Sequence, residues 1–289
     1  MVNINLEFSG NILRALQLND AKEVILKNEI TLSFNLNDEF HSRKNKDSLI
    51  EEFEESISSI FNNEDQEQKT AGILIGTSQT FLNVMPVDFN EDAGSISSHI
   101  LWELSNYYPE SYKEFTIKYF RLNNNYLSDK IDDVLLIAIS NSRLEFIKSL
   151  CDSCDVTIKN VEIDHFAVEK CLKEFYPAEI KNKSVLIIGS KSGRLDFSLV
   201  SNGLMRYYDY EVTEKSDYRN LLVRQINLLN SSLFNVERFF LYGDDKTASI
   251  RNFLEEQFQN IPVSFISHSG KNEDYGFAPL YGLALKNLP

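Results

Sequence analysis

Two stretches of this chain open in the same way, and that repetition restricts the possible folds more than any other feature. In the first, Val2, Ile4, Leu6 and Phe8 alternate with polar residues, a Ser9-Gly10-Asn11 turn follows, and a second strand runs from Ile12 to Leu18. A third strand is expected from about Glu29 to Leu36. The second half repeats the pattern: a strand from Val185 to Ile188, a glycine-bounded turn from Gly189 to Gly193, and a strand from Leu195 to Val200. The hairpin dipeptide Asn202-Gly203 and a strand from Leu204 to Val212 complete it. Two strand meanders, each followed by helical periodicity, predict an internally duplicated, bilobed α/β protein.

After the first meander, Leu49, Ile50, Phe53, Ile57, Ile60 and Phe61 recur at three- and four-residue spacing behind Asp47, which predicts an amphipathic helix. Its run of Glu51, Glu52, Glu54 and Glu55 is a solvated face, not a metal cluster. Asn62 to Thr70 reads as a loop and Gly72 to Ile75 as a buried strand. From Ser78 the texture changes: strand Phe81 to Val87, a helix from Ile96 to Tyr107 holding the only tryptophan, Trp102, strands Phe115 to Leu122 and Val134 to Ser140, and a helix from Ser142 to Leu150. This α/β module reads as an insertion. Strand Val156 to Ile163 then leads into a helix from His165 to Phe175, which Pro177 helps to end.

Beyond the second meander come a helix from Arg219 to Leu229, strand Phe239 to Leu241, the turn Tyr242-Gly243-Asp244-Asp245, helix Thr247 to Gln257, strand Val263 to Ser267 and a last helix from Phe277 to Leu285. The expected division is residues 1–77 with 156–183 as a first lobe, 78–155 as the insertion, and 184–289 as a second lobe whose final helix returns to the first.

Chemistry-bearing motifs are sparse. The formal net charge of −14 opposes nucleic acid as a partner. The first residues lack a basic segment followed by an apolar run, and nowhere do about 18 apolar residues run uninterrupted, so a cytoplasmic protein without direct membrane insertion is expected. Cys151, Cys154 and Cys171 read as reduced thiols. His41, His99, His165 and His268 lack the i, i+4 spacing of a zinc motif, and G-x-S-x-G, P-loop and G-x-G-x-x-G sequences do not occur. Aromatic pairs such as Tyr107-Tyr108, Tyr119-Phe120, Tyr207-Tyr208 and Phe239-Phe240 are candidate anchors for a partner peptide.

Four stretches carry a family likeness: residues Asn3 to Leu18, Ser184 to Ser190, Phe240 to Asp245, and the closing Gly276-Phe277-Ala278-Pro279-Leu280-Tyr281-Gly282-Leu283-Ala284-Leu285-Lys286. With the duplicated meander they resemble the actin-like, ribonuclease H-like duplicated fold, and in segment order the PilM family of type IV pilus assembly. The resemblance spans nearly the whole chain and gives residues 78–155 the placement of the inserted subdomain that PilM shares with FtsA.

That resemblance implies a nucleotide cleft in which each meander turn presents an aspartate and a glycine to the phosphates and Mg²⁺. Glycine lets backbone N–H groups approach the anion, and carboxylates hold the hydrated cation. At the implied positions this chain has Glu7, Ser9 and Gly10 in the first half, Ile187 and Gly189 in the second, and Gly243-Asp244 where the family has a glycine pair. Ile187 cannot ligate Mg²⁺, and the Asp244 carboxylate would oppose an anion by roughly 1 to 4 kcal/mol at 4 Å. Only Thr213 to Tyr218 stand where the family has a helical subdomain of the second lobe, which removes one wall of the adenine pocket.

The expected protein is therefore a degenerate ATPase without a cofactor, a scaffold that docks the cytoplasmic tail of a PilN-like inner-membrane protein in a groove between the first lobe and the insertion. Other platform or motor components of a pilus or related secretion machine are further expected partners. The alternative is an ATP- and Mg²⁺-binding ATPase with nucleotide-switched partner binding. An FtsA-like membrane tether is disfavoured because no amphipathic helix precedes Leu288-Pro289.

Overall fold

The computed structural model describes residues 2–35, 46–61, 69–122, 124, 131–191, 193–213, 217–231, 234–244, 246–268 and 274–288. The first sheet comprises β1 (Val2–Ser9), β2 (Ile12–Leu18), β3 (Val24–Thr31), β4 (Lys69–Ile75) and β8 (Val156–Ile163), in the order β3-β2-β1-β4-β8. The second comprises β9 (Ser184–Lys191), β10 (Arg194–Ser201), β11 (Leu204–Val212), β12 (Arg238–Gly243) and β13 (Val263–Phe265), in the order β11-β10-β9-β12-β13. In each sheet the first three strands form an antiparallel meander and the last two join in parallel, so the halves repeat one topology.

Helices cover both faces. On the outer face of the first sheet, Phe53 and Ile57 of α1 (Lys46–Phe61) and Ile147 and Leu150 of α3 (Asn141–Ser153) pack on Ile4, Leu6 and Phe8. On the outer face of the second, Leu222 and Ile226 of α6 (Tyr218–Ser231) and Ile250 and Leu254 of α7 (Thr247–Gln257) pack on Leu186 and Ile188. The inner faces share α4 (Asp164–Phe175) and α8 (Ala278–Asn287), which join Leu16 and Leu74 of one sheet to Val185, Ile187 and Phe240 of the other in a single apolar cluster. These two helices cross very closely. A Cβ on Gly282 would lie 1.9 Å from the carbonyl oxygen of Ala167.

The insertion is a third sheet, β5 (Phe81–Asp88), β7 (Ile131–Ser140) and β6 (Phe115–Arg121), with β7 central and both pairings antiparallel. Period-two alternation gives it two buried faces. Met85, Val134 and Leu136 pack under α2 (Ala93–Tyr107), while Leu82, Leu135 and Ile137 join the core of the first lobe. The Asp92 carboxylate caps α2 by accepting from the amides of Gly94 and Ser95.

Several boundaries differ from the sequence expectation. The third strand begins at Val24, because a tight turn from Asn19 to Glu23, with Lys22 at φ 64°, reverses the chain early. Leu32 and Phe34 are buried beyond its end, and Leu36 lies outside the described residues. No turn interrupts β9 at Gly189. The strand runs on to Lys191, pairing Gly189, Ser190 and Lys191 with Asp196, Leu195 and Arg194. Likewise β12 extends through Gly243, β13 stops at Phe265, and α8 begins one residue later than expected, after a short 3₁₀ turn. Pro177 opens a one-turn helix, α5 (Pro177–Ile180), after α4 has ended. The Asn202-Gly203 turn forms as expected, both residues having positive φ, 52° and 75°. His41, Asp245 and most of the stretch read as a loop from Asn62 to Thr70 lie outside the described residues.

Candidate functional site

The two leading hairpins face each other across the inner layer, and their registers decide which side chains meet. The last pairs are Ser9 with Ile12 and Lys191 with Arg194. By that register Glu7 corresponds to Gly189, Ser9 to Lys191 and Asn5 to Ile187. Ile187 lies within the apolar cluster around α4 and α8, while Ser9 and Gly10 form a half-exposed turn. Glu7 and Gly189 stand on the inner faces, where the halves approach.

Lys191 reaches across and donates to the Glu7 carboxylate, both side chains being buried. The second Glu7 oxygen lies 3.7 Å from the Arg14 guanidinium, which also bonds Glu29 at 2.7 Å and Asp244 at 3.2 Å. Asp164, at the start of α4, accepts from the amides of Thr77 and His165 at 3.0 and 2.7 Å, and its other oxygen lies 3.8 Å from Lys191. Each half thus supplies a cation to the other's carboxylates: Lys191 to Glu7 and Asp164, Arg14 to Asp244. Burial alone lowers the pKa of both cations, but the carboxylates, Glu7 foremost, outweigh it and hold Lys191 and Arg14 charged. Burial pushes Asp164 up to about 7 against the pull of Lys191.

A second polar chain runs alongside. His165 shares hydrogen bonds with the Tyr242 hydroxyl through Nδ1 (2.7 Å) and with Ser198 Oγ through Nε2 (2.9 Å). Burial lowers its pKa to about 4, so the ring is neutral at neutral pH. Thr77 donates to Asp196 at 2.8 Å, and Arg194 donates to Asp196, to the Tyr208 hydroxyl and to the Thr77 carbonyl at 2.9, 2.7 and 3.2 Å. Every one of these groups except Tyr208, whose hydroxyl bonds Arg194 and Asp196 of its own half, has at least one partner from the opposite half, so the polar seam stitches the lobes together.

Of the residues that the sequence singled out, Glu7, Gly189, Gly243 and Asp244 come together here. Gly189 is covered. The Tyr242 ring lies so close that a Cβ on Gly189 would meet the hydroxyl at 2.4 Å. Gly243 keeps φ at 126°, and a Cβ there would lie 2.1 Å from the Ser190 carbonyl. Lys191, Arg14, His165, Asp164 and Tyr242 escaped the sequence reading. One signal was available: Arg194, Asp196 and Ser198 alternate with Leu195, Phe197 and Leu199, a polar inner face on a strand that is otherwise entirely core.

A separate groove of 320 Å³ lies where the inserted sheet and the first lobe meet, as expected, but the β10–β11 hairpin of the second lobe lines it as well. Phe120, Leu122 and Leu135 form its floor on the insertion, Phe166, Glu169 and Lys173 of α4 form one wall, and Leu204 and Met205 of the β10–β11 hairpin form the other. Phe120 is 51% exposed although it is large and apolar. It sits on β6, an edge strand of the inserted sheet on which no residue is buried.

Two lobes of one strand order, each entered by a hairpin that faces its counterpart beside shared inner helices, define an actin-like protein. Comparison with family models matches residues 6–226 to the type IV pilus assembly protein PilM, and the chain belongs to that family. Among solved structures, the PilM-PilN type IV pilus biogenesis complex is similar with a TM-score of 0.75 and 12% identity over 100% of this chain and 99% of that one. The ethanolamine utilization protein EutJ of Carboxydothermus hydrogenoformans follows at 0.55, with 8% identity over 98% and 88% of the two chains. The cytoplasmic domain of EpsL, an inner-membrane component of the Vibrio cholerae type II secretion system, is similar at 0.54, with 11% identity over 99% and 94%. No curated protein matches the sequence. Among the described residues no helix is long and apolar enough to cross a membrane.

Proposed function

We propose that this protein is a non-catalytic cytoplasmic scaffold of a type IV pilus or related secretion machine, docking the cytoplasmic tail of a PilN-like inner-membrane protein. The observation that carries the reading is the groove beside β6. An extended tail can add to the free edge of β6 through backbone hydrogen bonds while its apolar side chains enter the space between Phe120, Leu135 and Phe166. The likeness to a PilM-PilN complex supports a partner of that kind.

The ancestral cleft supports the non-catalytic half of the reading. Both hairpins are bound to each other through Lys191 and Glu7, and Tyr242 occupies the approach to Gly189. These residues do not fit a magnesium-bound triphosphate: Glu7 is already neutralised by protein cations, and Asp244 by Arg14. The residues that remain for the ATP-binding alternative are the glycines, Gly189 and Gly243, and both are packed against protein atoms.

Calorimetry on the purified chain separates the two. A synthetic peptide of the PilN-like tail is expected to bind, Phe120→Asp to weaken it at least tenfold, and Mg-ATP to give no heat. A chain that ignores the peptide and binds Mg-ATP with micromolar affinity reverses the assignment.

A further inference from the structure

The cleft and the groove are two ends of the same elements. On α4, Asp164 and His165 enter the polar seam and the next residue, Phe166, lines the groove. The opposite groove wall, Gly203 to Met205, closes the hairpin whose strand β10 carries Arg194 and Asp196 into the seam. Tyr208 joins the two regions, its ring 5.6 Å from His165 and 5.3 Å from Phe166, with its hydroxyl donating to Asp196. One groove wall belongs to each half of the molecule, so the width of the groove follows the angle between the halves.

We propose that the reciprocal ion cluster of Glu7, Lys191, Arg14 and Asp244 is a built-in clamp that fixes the lobe angle and holds the groove at the width the tail requires. In an actin-like fold a ligand between the lobes would set that angle. Here the chain's own cations span the gap, and a buried ion pair that loses one partner leaves an uncompensated charge that drives the halves toward water. The clamp makes partner binding constitutive, with the closed state supplied by sequence instead of by an effector. This inference rests on the groove being the tail site, and its test is arranged to separate the two.

Lobe angle is read without any partner by spin labels on Ser58→Cys of α1 and Asn252→Cys of α7, exposed positions on the outer helices of the two lobes, in a Cys154→Ala background. Lys191→Met and Glu7→Gln are each expected to lengthen and broaden the label distance. The double variant removes the bridge without leaving a lone charge of the pair and is expected to keep the lengthened distribution, with an unchanged far-UV circular dichroism spectrum guarding against simple misfolding. A double variant that returns to the closed distribution overturns the clamp, because the halves then close without the bridge. Tail peptide affinity should fall about tenfold in each single variant and stay low in the double. Unchanged distances in both single variants overturn the clamp, whatever the peptide does. Distances that open while affinity stays at the parent value uphold the clamp and overturn its control of the groove. If the parent chain does not bind the peptide, the groove reading fails and the label distances alone decide the clamp.

Discussion

Asp164 and His165 are neighbours at the start of α4, both fully enclosed, and burial moves their pKa values in opposite directions. His165 is held at about 4 against an ordinary value near 6.5, so the folded protein excludes a proton that the unfolded chain binds. Its stabilising contribution, about 3 kcal/mol, is complete above pH 6.5 and is lost as pH falls toward 4. Asp164 is pushed up to about 7 from 3.8, so the folded protein retains a proton that the unfolded chain releases. Its contribution is complete below 3.8 and is lost as pH rises toward 7. Between pH 4 and 6.5 the two slopes oppose each other, and the parent protein is expected to have a nearly flat stability profile there. Asp164→Asn keeps an acceptor for the amides of Thr77 and His165, and it should make stability climb with pH over that window. His165→Asn should make stability decline with pH instead. Urea midpoints at pH 4.5 and 6.5 for the three proteins check this, and parallel profiles would show that neither group titrates in the fold as described.

At the scale of elements, α4 and α8 cross with backbone nearly touching backbone at Gly282. Gly282→Ala places a methyl carbon 1.9 Å from the Ala167 carbonyl, and since neither helix backbone can yield locally, the helices must separate. A loss of about 3 kcal/mol is expected, lowering the melting temperature by roughly 5 to 10 °C in a calorimetric scan. A shift under one degree would mean the helices are less closely seated. The closing Gly-Leu-Ala-Leu sequence advertised a helix, but nothing local in it showed that Gly282 serves the contact with α4. That contrast holds across the fold. Alternation in Val2 to Phe8 and the Asn202-Gly203 turn made the duplicated meanders legible, because strand parity and type I′ turns are local properties. The end of β9 was misread because Gly189 resembles a turn residue, whereas its missing side chain makes room for the Tyr242 ring from the neighbouring strand. The candidate cleft was legible only in part for the same reason. Glu7 and Asp244 could be singled out by position, and Arg14 stands opposite Glu7 in the register of its own hairpin, but Lys191 reaches Glu7 and Arg14 reaches Asp244 across the lobe gap, and no pattern within either hairpin announces those two contacts.

For the whole molecule, the inner layer determines whether the halves behave as one cooperative unit. The cluster around α8 takes residues from both sheets, Leu16 and Leu74 from one and Ile187 and Phe240 from the other, with Leu283 fully buried among them. Both lobes therefore lose apolar contact if α8 is loosened, and the ion cluster next to it loses the packed surroundings that keep it dry. Leu283→Ala removes three buried carbons and is expected to cost about 2 to 5 kcal/mol. Hydrogen exchange gives the distribution of that loss, not only its size. If the inner layer couples the halves, amides of β1 and β4 and amides of β9 and β12 should lose protection by the same factor, because their protected states open together. Loss confined to the first sheet would mean that α8 belongs energetically to one lobe, that the lobes open independently, and that the polar seam alone holds them together.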